Sequence, residues 1–93
     1  MEINEITEAR GNIYGDFRVQ FELAQTLKNS CKIYTNYTIL NPVQKECLDM
    51  ILHKISRIIV GDPFYLDNWV DIQGYASLAE KEIRQINQEE QVI

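Results

Sequence analysis

The sequence predicts an all-α fold, a small bundle of three long helices preceded by a short N-terminal one, on three observations. Apolar residues recur at helical spacing along residues 17–34. Asn41-Pro42-Val43-Gln44 carries the residues of a helix-starting capping box, and Gly61-Asp62-Pro63 supplies a stop downstream. No run alternates apolar and polar residues long enough to form a strand, and there is no internal repeat or low-complexity segment.

The short helix is expected over residues 3–10, with Ile3 and Ile6 on one face and Gly11 as its stop. After the turn Gly11-Asn12-Ile13-Tyr14-Gly15, Asp16 suits an N-cap for a helix over residues 17–34. Phe17, Phe21, Ala24, Leu27, Cys31 and Tyr34 form its apolar stripe. Residues 35–40, rich in β-branched side chains, make a short connection.

The next helix starts with Asn41 as cap, Pro42 at the first helical position and Gln44 at the third, and is expected to run to Val60. Gly61 is expected to end it by allowing a left-handed residue, and Pro63 cannot continue the ladder. Its apolar residues fill an arc of roughly 200°, so it should be central and covered on two sides. The last helix, from residue 66 or 67 to 89, has Trp69, Ile72, Tyr75, Ala76, Ala79, Ile83 and Ile86 within an arc of about 120°. The tail 89–93 is expected to fray.

At 93 residues the chain is read as one domain, 1–93. A domain this small hides only about 60–65% of its unfolded surface, which makes a homo-oligomer a reasonable expectation. With 45% apolar and 25% charged residues it is too hydrophobic for disorder. A net charge of −5 without any Lys/Arg block argues against nucleic-acid polymers and anionic membranes as partners. The N-terminus has neither a basic leader nor an apolar run, so a cytoplasmic location is expected. Cys31 and Cys47 fall on the apolar faces of different helices and read as reduced core residues.

The most informative single residue is Lys54, an ammonium inside the widest apolar face. Unpaired burial would cost several kcal/mol, so a counter-charge or an anionic ligand is expected beside it. The acid- and aromatic-rich run of residues 61–75 is the natural place for one. Glu46, Asp49, His53 and Arg57 form a polar stripe on the same helix; it reads either as a solvated, salt-linked face or as carboxylates for a hard cation. Asp67 and Asp71 form a second acidic pair, for which capping and an ion pair with Lys54 or Arg57 are the plain alternatives. Gly74, mid-helix, suggests a place where another backbone or a ligand comes close. Trp69 and Tyr75 fit a core, while Tyr14, Phe64 and Tyr65 lie in turns where they can stack on a flat ligand. His53 belongs to no metal or nucleophile cluster visible in the spacing.

At RGNIYGD (residues 10–16), LDMILHKISRIIVGDP (48–63) and DNWVDIQGYASL (67–78) the chain resembles a family of small bacteriophage and prophage proteins, over residues 6 to about 79. That pattern is in turn similar to the all-α nucleotide pyrophosphohydrolases of the MazG type. Those enzymes hold Mg²⁺ on a Glu-Glu-x-x-Glu cluster and a Glu-x-x-Asp pair. The positions that the resemblance would make metal ligands are Glu46, Asp49, Asp67 and Asp71. The first cluster is one acid short, and Asn68 stands where the second has Glu.

Missing carboxylates weaken hydrolysis more than binding. The resemblance thus implies a phosphorylated nucleotide-type ligand, with Arg10, Lys54 and Arg57 on phosphate and Tyr14, Trp69 or Tyr75 on a base. No cofactor is needed for that, Mg²⁺ entering only with hydrolysis, and no catalytic residue is assigned. Other very small phage proteins sequester nucleotide signals of bacterial immunity, and the same role in the host cytoplasm is the expectation here. The alternatives are a Mg²⁺-dependent pyrophosphohydrolase and a structural or partner-binding helical protein.

Overall fold

In the structure, a computed structural model, residue 13 and residues 15–92 are described, the side chains of the last three excepted. The described residues are helical without strands: α1 (Phe17–Lys32), a 3₁₀ helix (Thr35–Ile39), α2 (Pro42–Val60) and α3 (Leu66–Val92). The expected helix over residues 3–10, together with Arg10 and Tyr14, lies outside the described residues.

Local chemistry sets the boundaries. The Asp16 carboxylate accepts from the amides of Arg18 at 2.8 Å and Val19 at 3.4 Å, satisfying two otherwise orphaned donors of α1. The capping box of α2 is complete, Asn41 Oδ1 accepting from Gln44 N and Gln44 Oε1 from Asn41 N, both at 2.9 Å. The connection 35–40 is a 3₁₀ turn rather than an irregular one, with Lys45 of α2 over the Tyr37 ring at 5.4 Å.

Gly61 departs from the expected left-handed stop: its φ is −102°, and its amide donates to Arg57 O at 2.9 Å. The positive φ belongs to Gly15, at +81°, where a Cβ would strike the Val60 carbonyl. That contact, with Asp62 N donating to Ile13 O at 2.6 Å, ties the turn before α1 to the end of α2. The last helix runs through Val92, past the expected fraying point.

As expected, α2 is central: α1 and α3 both pack on it. Its interior is small and partly polar. Among the described residues Ala24, Cys47 and Ile58 are the buried apolar ones, beside buried Gln20, Ser56 and Asn68. The Gln20 amide donates to Ser56 Oγ at 2.9 Å, and that hydroxyl donates to His53 O at 2.6 Å, which closes the chain of donors between α1 and α2. Gln20 thus lies on the packed line of α1, while Phe17, Phe21 and Tyr34 at the edges and ends of its stripe remain exposed. Both cysteines are free, Cys31 half-buried and Cys47 buried. Among the described residues no helix is long and apolar enough to cross a membrane.

Candidate functional site

The antiparallel course of α2 and α3 places Lys54 opposite Asp71. The ammonium lies 3.0 Å from the Asp71 carboxylate, with the lysine side chain 11% exposed and the aspartate 44%. The expected counter-charge is therefore a residue of the 61–75 run itself. The pair is asymmetric: the cation is enclosed by the apolar arc that made it conspicuous in the sequence, whereas water reaches the anion.

Asn68 shares the Asp71 side of α3, one turn earlier. It is 1% exposed, and its side-chain NH₂ has no hydrogen-bond partner among the described residues. An enclosed amide left without a partner costs about 1–3 kcal/mol. Arg57, one turn beyond Lys54 on α2, is half-buried. Tyr75, one turn after Asp71, lines a groove of about 510 Å³ between the start of α2 and the middle of α3, with Val43, Glu46, Cys47 and Leu78.

The remaining candidates lie elsewhere. Trp69 is 50% exposed and held by its indole N–H on Pro63 O at 2.9 Å. It projects about 200° around α3 from Asp71, so the structure does not bring it together with Lys54, and it is not the core residue its arc suggests. Asp67 is exposed in the first turn of α3, where a carboxylate complements the helix dipole, and accepts from the Tyr65 hydroxyl at 3.2 Å.

Nor are the acids gathered for a metal. Glu46 stands in the groove, Asp49 is half-buried on α2 and Asp71 is engaged with Lys54. Among the described residues no three His, Cys, Asp or Glu side chains form a group that could hold an ion.

His53 and Arg57 are half-buried rather than on a solvated face. The His53 ring lies 6.2 Å from the Phe21 ring of α1. Burial, then the charges of Arg57, Lys28 and Lys54, hold its pKa below the ordinary 6.5. Sequence reasoning missed the enclosed Gln20, Ser56 and Asn68. For Gln20 a signal existed, since it lies one turn before Ala24 on the apolar stripe. For the other two, enclosure follows from helix pairing alone.

A family model described as a domain of unknown function (DUF6378) matches residues 2–83. No curated protein and no solved structure matches the chain.

Proposed function

The chain belongs to the DUF6378 family, and we propose that it is an oligomeric binding module for a phosphorylated nucleotide-type ligand, engaged along the α2–α3 seam at Lys54, Arg57, Asn68 and Tyr75. The observation that carries this reading is the enclosed Asn68 amide, without a partner among the described residues and one turn from the Lys54–Asp71 pair. A ligand acceptor that satisfies that amide recovers a cost already present in the free protein. Lys54 is likewise desolvated in advance. A phosphate that displaces the half-exposed Asp71 exchanges one anion for another on an ammonium that has already lost its water.

Arg10 and Tyr14, which precede α1 in the sequence, are proposed to complete the phosphate and base contacts, and Trp69 to contribute only from a neighbouring subunit. The resemblance to small phage proteins supports sequestration of a bacterial immune nucleotide in the host cytoplasm as the use. The separated acids support retention over Mg²⁺-dependent hydrolysis.

The test is incubation of the protein with a panel of nucleotides, with and without Mg²⁺, followed by removal of free ligand, heat denaturation and chromatography of what is released. Intact nucleotide, retained by the native chain and lost in a folded Lys54→Ala/Arg57→Ala variant, is expected. Recovery of monophosphate and pyrophosphate would replace the reading by the hydrolase. Absence of any retained nucleotide would leave the purely structural protein.

A further inference from the structure

The open face of α3, at the edge of the groove against α2, has a symmetry of its own. Gly74 sits in its first third, exposed, and among the described residues nothing lies within 4 Å of where a Cβ would be. The close approach that the sequence suggests at this glycine is therefore not made by any of the described residues. One turn to either side, at four residues before and after, stand Val70 and Leu78, 52% and 54% exposed. At seven residues before and after stand Asp67 and Lys81, both exposed. All five share one face, since steps of four and seven residues return to nearly the same helical angle.

We propose that this face is where a second copy of the chain docks, its α3 crossing antiparallel on a two-fold axis through Gly74. In such a pair, each position before the glycine faces the matching position after it on the partner. Val70 then meets the partner's Leu78 and Asp67 meets the partner's Lys81, an apolar centre flanked by two acid–base pairs, with the Cβ-free position where the backbones come closest. Asp71 lies about 60° around α3 from Gly74, so the ion pair of the candidate site borders the interface.

The chain is elongated. Its radius of gyration is 16.4 Å, against about 12–13 Å for a compact chain of this length. At 27 residues α3 is about 40 Å long, against about 28 Å for the 19 residues of α2. The proposal rests on the oligomeric part of the functional reading and adds the face, register and symmetry.

Sedimentation velocity on the full chain tests it, with Gly74→Leu, Asp67→Lys and Asp67→Lys/Lys81→Asp beside wild type. Wild type should sediment as a dimer or an assembly of dimers. Gly74→Leu should weaken dimerisation roughly thirtyfold or more, the scale of a disrupted interface centre, while far-UV circular dichroism shows the helices intact. Asp67→Lys should weaken it too, and the double charge reversal should restore it. In a Cys31→Ser background, Gly74→Cys should form a symmetric disulfide under mild oxidation and Ala76→Cys should not.

A monomeric wild type would remove the oligomer and this interface together. An oligomer unaffected by Gly74→Leu, or cross-linked through Ala76→Cys but not Gly74→Cys, would overturn this interface alone and assign assembly to the exposed Trp69–Ile83 side. Nucleotide retention with Lys54 and Arg57 intact is read separately, so its failure and that of the interface are distinguishable.

Discussion

Cutting the Lys54–Asp71 pair from its two ends should have unequal consequences. Asp71→Asn removes the charge of a 44%-exposed carboxylate and leaves behind an ammonium that is only 11% exposed. Removing one partner of a fully buried pair costs about 3–5 kcal/mol. Because water reaches Asp71, the loss should be smaller, about 2 kcal/mol, or roughly 8–16 °C in Tm for a chain of this size. Lys54→Met instead removes the enclosed charge, keeps an unbranched chain in the apolar arc and leaves a carboxylate that hydrates readily, so its cost should stay below about 1 kcal/mol.

Urea unfolding followed by circular dichroism, at one fixed protein concentration because assembly adds to apparent stability, measures both. Equal costs, or a larger one for Lys54→Met, would refute the account of an enclosed cation held by an accessible anion. Ligand retention should invert the order. With its internal competitor gone, Asp71→Asn should bind an anionic nucleotide more tightly than wild type, and Lys54→Met should lose it.

Ser56→Ala should cost about 1–3 kcal/mol in urea unfolding, because it strands the enclosed Gln20 amide, and Gln20→Met in the same chain should recover much of that; no recovery would mean the hydroxyl matters for another reason. Asn68→Leu should leave stability unchanged or raise it by up to about 1 kcal/mol while abolishing nucleotide retention, and a severe loss of stability would show the amide to be structural. For His53 the folded pKa lies below the unfolded 6.5, so the unfolded chain binds more protons as pH falls through that value. The stability it contributes is complete above pH 6.5 and is lost towards its lower folded pKa. Wild type should therefore lose more stability between pH 7.5 and 5.5 than His53→Gln does, and equal losses would exclude the imidazole as the source.

What was legible in the sequence was what neighbours along the chain decide. The caps at Asp16 and Asn41 depend on side chains reaching amides two or three residues away, so residue type and spacing suffice to place them, and the stop after Val60 falls where Gly61 and Pro63 set it, although Gly61 is not left-handed. Lys54 could be singled out, and its partner narrowed to the 61–75 run, because an enclosed ammonium has few affordable surroundings. Trp69 was misread for a physical reason: an apolar arc shows which face of a helix avoids water without showing which surface covers it. In α3 only part of that arc meets α2, and Trp69 and Ile83 are left 50% and 42% exposed.

The polar part of the interior is not legible in the sequence, for the complementary reason. Gln20, Ser56 and Asn68 are polar by type and enclosed by helix pairing, a relation across 36 residues for Gln20 and Ser56 that no local pattern encodes. Among the described residues an enclosed amide lacks a partner while Val70 and Leu78 stand in water, two energetic deficits in two places. On the two proposals, a polar ligand at the seam would match the first and a second copy of α3 the second. For that reason the ligand and interface variants are expected to separate, with Asn68 and Lys54 deciding retention and Gly74 and Asp67 deciding assembly.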